Sequence, residues 1–147
     1  MSPRLVYLAG PVELKDTWRH WAMMQLSAAG FNTLDPMRGE ECKKVGKHIE
    51  SNVSDDLIVH RDLNDLQRVR ASGGLCLMNL STTDEGRRPM GTLFELMWCY
   101  DHQVPVVAVV GKKCDPNVRT HPWVRHMIAY PGTSVTDAVT LIKTYFT

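Results

Sequence analysis

The sequence predicts an α/β domain, an open sheet of parallel strands with helices on both faces. Three observations carry this reading. Short apolar runs alternate with longer stretches of helical periodicity, the pattern in which crossover helices join parallel strands. The run VPVVAVVG at residues 104–111 is continuous and β-branched, as a central strand covered on both faces requires. No repeat, low-complexity segment or linker divides the 147 residues, so a single domain over residues 1–147 accounts for the chain.

Each element has its own signal. RLVYLAG (residues 4–10) is an apolar run closed by Gly-Pro, which marks a buried strand ending in a turn. Within residues 17–29, Trp18, Trp21, Ala22, Leu26 and Ala29 fall on one helical face, and Gly30 stops the helix. FNTLDP (31–36) reads as a short second strand ended by Pro36. The polar, aperiodic stretch 37–56 is expected to be the one long loop, and loops of that length in compact domains tend to serve function or lack order. A helix follows, with Ser54 as N-cap, Asp55 and Asp56 at its positive end, and Leu57, Ile58, Leu63, Leu66 and Val69 as apolar positions. GGLCLMNL (73–80) is the third strand, 84–90 a loop, 91–100 a helix and 104–111 the fourth strand. A short helical or irregular segment precedes a last strand near 127–130. A closing helix presents Val135, Ala138, Val139, Ile142 and Phe146.

Composition removes several function classes. A net charge of +1 gives no electrostatic case for binding a nucleic-acid polymer. No apolar run approaches the length of a membrane span, and the N-terminal apolar stretch is too short for a signal peptide. The four cysteines form no C-x-x-C pair and are expected to be free thiols in a reducing cytoplasm. Cys114, His121 and His126 match no zinc spacing, and no metal is expected. The chain carries no G-x-G-x-x-G after its first strand, no phosphate-binding G-x-x-x-x-G-K-[ST] loop and no G-x-S-x-G elbow.

In open parallel sheets, ligands bind beyond the C-terminal strand ends. That gathers the loops 9–16 and 79–90 and the one after residue 110. Glu95 stands near this crevice among Leu93, Phe94, Leu96, Met97 and Trp98. A carboxylate there is costly unless compensated, so it is either a satisfied structural group or a reactive one. Tyr7 lies inside the first strand. Asp62 and Asp65, at i and i+3, share a helical face, and they could equally pair with Arg61, Arg68 or Arg70 as a solvated face. Gly91 and Thr92 open a helix whose first N–H groups are free.

VYLAGPV, WRHW, LDPMRG, LIVHRDLNDLQR, GTLFELMW and VPVVAV occur in that order. Together they resemble the nucleoside 2-deoxyribosyltransferase family and the related nucleotide N-glycosidases, which hydrolyse deoxynucleoside monophosphates. Each motif is short, but the similarity spans nearly the whole chain. The resemblance implies a flavodoxin-like fold with five parallel strands. It implies that Glu95, in G-T-x-x-E, is the nucleophile, that Tyr7, in Y-L-A-G-P, orients it, and that Asp62, in R-D-L, lies near the departing base or the sugar. Gly10, Pro11, Trp18, Asp84, Arg88, Gly91 and Thr92 are then the expected substrate contacts. A homodimer or larger homo-oligomer is implied, with no cofactor, acting on a small nucleoside or nucleotide and a free nucleobase.

The chemistry suits these residues. A carboxylate can trap C1′ of the sugar as an ester, and exchange of bases then proceeds with net retention. A second acid with a raised pKa would protonate the leaving base; Asp62 or Asp84 could do so, and the motif favours Asp62. Many relatives place a Ser shortly before the Gly-Thr element, where this chain has RRPMGT. Its absence counts against phosphate recognition of that kind, Arg87 and Arg88 count for it, and the substrate's phosphorylation state stays open. The expected activity is deoxyribosyl transfer between bases. The alternative is hydrolysis of a deoxynucleoside 5′-monophosphate, and the third reading is a nucleotide-binding module without turnover.

Overall fold

The computed structural model describes residues 4–12, 17–46, 48–83 and 89–147. In chain order the elements are β1 (Leu5–Ala9), α1 (Thr17–Ala28), β2 (Asn32–Leu34), β3 (Cys42–Val45), β4 (His48–Ser51), α2 (Asp55–Ala71), β5 (Leu75–Asn79), α3 (Met90–Asp101), β6 (Val106–Val109), α4 (Pro116–Arg119), α5 (Pro122–Met127), β7 (Tyr130–Gly132) and α6 (Val135–Tyr145). Five strands form one all-parallel sheet in the spatial order β2-β1-β5-β6-β7. That order and the flanking helices make the fold flavodoxin-like.

The apolar runs do what their composition dictates. Every residue of β5 and of β6 is buried, because helices cover both faces of the sheet. Alternate strand residues serve opposite faces. Val6, Leu8, Leu77 and Val107 pack with Ala22 and Leu26 of α1 and with Ala138, Val139 and Ile142 of α6. Tyr7, Ala9, Cys76, Met78 and Ala108 pack on the other side with Leu66 and Val69 of α2, Leu96 and Cys99 of α3, and Val124 of α5. On that side the free thiols Cys76 and Cys99 meet, sulfur to sulfur at 3.5 Å, between β5 and α3. No helix among the described residues is long and apolar enough to cross a membrane.

Three expectations need correction. The stretch expected to be one long loop contains an antiparallel hairpin, β3 with β4, in which Val45 lies opposite His48. Gly46, directly after β3, has φ +61°, in the left-handed region that hairpin connections favour and glycine adopts freely. Both strands are largely polar and no side of β3 is buried, so no alternation betrays them. The second correction concerns helix faces. In α1 the buried residues are Arg19, Ala22 and Leu26 while Trp21 is exposed, a face rotated from the one expected. In α2 Leu57 and Leu63 are exposed, and Asp65 is buried beside Leu66 and Val69. Third, the last strand runs over Tyr130–Gly132, after α5 has ended at Met127, so only its first residue lies within the stretch expected.

The caps of α2 match its sequence. Ser54 accepts a hydrogen bond from the Leu57 N–H, and Asp55 and Asp56 sit in the first turn, where the helix dipole favours anions. A cap of this type is worth about 1 kcal/mol.

Candidate active site

The chain leaves β1 toward β2 on one side, while β5 pairs on the other, so β1 and β5 flank the point at which the winding reverses. A cavity of about 630 Å³ opens there, a size that suits a small organic ligand. Tyr7 of β1 and the turn residues Gly10 and Pro11 form its floor. Thr92 and Glu95 of α3 and Asp62 of α2 enter from the sides, and the hairpin contributes Cys42, Ile49 and Ser51. The hairpin therefore roofs the cavity.

Glu95 reaches this cavity through helical register. Thr92, Leu96 and Cys99 are the buried face of α3, and Glu95 lies on the flank of that face, half-buried, one turn after Thr92. Its apolar sequence neighbours do not enclose it, since Phe94 is 73% exposed and Met97 is also exposed. Burial pushes the Glu95 carboxyl up to about 7, with the Tyr7 hydroxyl opposing the rise, Asp62 adding to it, and Arg19 and Arg61 pulling back. Tyr7 is fully buried. Its hydroxyl is driven far above its usual value, first by burial and then by Glu95 and Asp62, so it remains a proton donor at every working pH. Tyr7 Oη and the Glu95 carboxylate face one another, the phenol's hydrogen bond being what most opposes the rise of the carboxyl, and no other partner meets Tyr7 Oη or Glu95 Oε2 among the described residues. Buried polar atoms with so few partners are rare in folded proteins.

Asp62 is raised to about 6, by burial first, with Arg61 opposing and Glu40 and Asp65 adding. It lines the cavity, as Glu95 does. Asp65, three residues on, has a different fate. It is completely buried and held by both ends of the Arg38 guanidinium, one bond measuring 2.7 Å, with Arg68 3.6 Å away. The expected shared face therefore separates into one cavity acid and one structural acid.

Of the expected substrate contacts, Gly10, Pro11, Gly91 and Thr92 line the cavity. Trp18 stands behind Gly10: a Cβ on Gly10 would lie 2.6 Å from its ring, so only glycine fits. The buried indole Nε1 of Trp18 meets no hydrogen-bond partner among the described residues. Asp84 and Arg88 lie outside the described residues. The start of α3 is preceded by Pro89, which supplies no side-chain cap, and a Cβ on Gly91 would meet nothing within 4 Å. The positive end of a helix favours an anion there.

Two residues escaped the sequence reading. Arg19 is buried on α1, donates from Nε to the Leu8 carbonyl at 3.1 Å and from Nη2 to the Gly10 carbonyl at 2.9 Å, and stacks over the Trp18 ring. It fixes the end of β1 and sets a cation toward Glu95. A face traced through Arg19, Ala22 and Leu26, at i, i+3 and i+7, would have found it. Glu40 is the other. Its carboxylate accepts from Ser51 Oγ at 3.0 Å and pairs with Arg61. Nothing in the polar stretch around it marks it out.

The chain matches no protein-family model and no curated protein.

Proposed function

We propose that the protein is a nucleoside 2-deoxyribosyltransferase that moves a deoxyribosyl group from one nucleobase to another through an ester on Glu95. The observation that carries this reading is the pairing of a buried carboxylate, Glu95, with a buried phenol, Tyr7, at one cavity with a second acid, Asp62. The Glu95 carboxylate attacks C1′ and forms the C1′–O bond as the bond from C1′ to the base nitrogen breaks. Asp62 gives its proton to the departing base. An incoming base then attacks C1′, the ester breaks, Glu95 is released as the carboxylate, and the new base's proton returns to Asp62. Tyr7, which stays protonated, donates to the carboxylate and fixes its direction. Burial raises both carboxyls toward neutrality, Glu95 to about 7 and Asp62 to about 6, so a proton held between them rests first on Glu95 and must pass to Asp62 before Glu95 attacks.

A second reading, hydrolysis of a deoxynucleoside 5′-monophosphate, is favoured by the start of α3 at the cavity, where Pro89 gives no side-chain cap and a phosphate could accept from backbone N–H groups. A homo-oligomer is part of the same proposal. Support comes from Met90, Phe94 and Met97, exposed along one side of α3 from the cavity mouth outward. Four free cysteines support a cytoplasmic site of action.

The test is chromatographic. Deoxynucleosides and their 5′-monophosphates are incubated with and without a different free base, using the wild-type protein and Glu95→Ala. A new nucleoside carrying the added base is expected from the wild type, with turnover lost in Glu95→Ala. Free base and deoxyribose 5-phosphate, formed whatever base is added, would establish the hydrolase instead. Wild-type rates in Glu95→Ala would sink both.

A further inference from the structure

Among the described residues, Arg61 is the guanidinium that touches both the roof of the cavity and the acid inside it. It sits on α2 next to Asp62, with its Nε and Nη2 each 3.4 Å from Asp62 Oδ1. The same Nη2 pairs closely with Oε1 of Glu40. Glu40 precedes β3 and belongs mechanically to the hairpin. Its other oxygen accepts from Ser51 of β4 at 3.0 Å and lies 3.7 Å from the Cys42 sulfur of β3. The Glu40 side chain is only 4% exposed, so its charge depends on these partners.

We propose that Arg61 is a positioning residue that couples the roof hairpin to the leaving-group acid, one guanidinium being divided between Glu40 at the hairpin root and Asp62 in the cavity. The proposal rests on the catalytic reading of Asp62. With the hairpin down, Glu40 takes most of the cation, and its own negative charge also faces Asp62. Both effects favour the protonated acid that a departing base needs. If the hairpin lifts, Glu40 leaves, Arg61 pairs with Asp62 alone, and Asp62 gives up its proton. The acid is then armed only under a closed roof, where water has least access to a sugar ester.

The groups facing Asp62 are Arg61 and Asp65 on its own helix, Glu40 from the hairpin root, Tyr7 from β1 and Glu95 from α3. Asp65 is neutralised by Arg38, and Tyr7 stays uncharged. Among these, Glu40 and Arg61 are the pair whose effects on Asp62 oppose one another.

That opposition supplies the test. The Asp62 carboxyl carbon is titrated by carbon-13 NMR in the full-length wild type, Glu40→Gln and Arg61→Gln, with folding checked by circular dichroism. Glu40→Gln is expected to lower the Asp62 pKa, because Arg61 is freed for it and a neighbouring anion is gone. Arg61→Gln is expected to raise it. A salt bridge that merely clamps the hairpin predicts shifts of the same sign, since losing either partner frees the hairpin equally. Shifts of equal sign, or none, overturn the proposal. If Arg61→Gln does not fold, Arg61→Lys serves: it keeps the charge but cannot fork between two carboxylates, and it is expected to raise Asp62 by less. The titration needs no substrate, so it stands apart from the transferase reading. Where turnover is present, the acidic limb of kcat/KM, which follows Asp62 as the lower of the two acids, should move in the same opposite directions. A limb that ignores the measured Asp62 shifts overturns Asp62 as the acid while leaving the electrostatic coupling standing.

Discussion

Glu95 carries a cost that can be measured without any substrate. Its carboxyl is raised from an ordinary value near 4.5 to about 7, so the folded protein holds a proton that the unfolded chain has released. Below pH 4.5 the group is neutral in both states and costs nothing. Between pH 4.5 and 7 only the folded state holds the proton, so stability falls progressively across that window, and above 7 the full cost of the buried charge is in place. Glu95→Gln is therefore expected to raise the thermal midpoint at pH 8, by a free energy of up to about 3 kcal/mol, and to leave it unchanged at pH 4. Equal midpoints at pH 8 would show that the carboxylate is solvated. Tyr7→Phe removes a donor aimed at that carboxylate. It should lower kcat by roughly ten- to a hundredfold with little change in KM, since one hydrogen bond realised in the transition state has that worth. A weakened KM at constant kcat would instead make Tyr7 a binding group. At this scale the sequence marked Glu95, Tyr7 and Asp62 through short motifs, but its apolar neighbours gave the wrong reason for the burial of Glu95. Phe94 and Met97 point outward, and the turn register with Thr92 and Cys99 turns Glu95 inward. Arg19 was hidden because two tryptophans beside it drew the apolar face to themselves.

Between residues and the whole stands the roof hairpin. It presents no alternating apolar face, and no residue pair between its strands announces a hairpin in the sequence. Its place depends on ion pairs to α2, which join positions more than twenty residues apart and leave no local signature. One of these, Arg38 with Asp65, lies at the root. Asp65 has no exposed surface, and removing Arg38 leaves its charge to Arg68 alone at 3.6 Å. Arg38→Met is expected to destabilise the fold by about 3 kcal/mol, measured by urea unfolding at pH 7. Most of that loss should vanish in the double variant Arg38→Met with Asp65→Asn, which leaves no stranded charge. Full additivity of the two single effects would show that the pair is solvated and contributes little.

For the whole molecule, the sheet was legible because its physics is written locally. Strands buried on both faces must be apolar at every position, and β5 and β6 are. The crossover helices between them carry their own period. What no local pattern encodes is the meeting of residues 7, 62 and 95, which follows from β5 pairing with β1 and from α2 and α3 sharing one side of the sheet. The same layering sorts the cysteines. Cys76, Cys99 and Cys114 are buried in the core, while Cys42 is half-buried on the hairpin at the cavity. The protein thus carries a built-in reporter thiol. Alkylation under native conditions should reach Cys42 far sooner than the other three, at a rate set by how often the roof opens. A bound nucleoside should slow that labelling, so one mass-spectrometric time course, with nothing engineered into the chain, would read both roof motion and occupancy of the site.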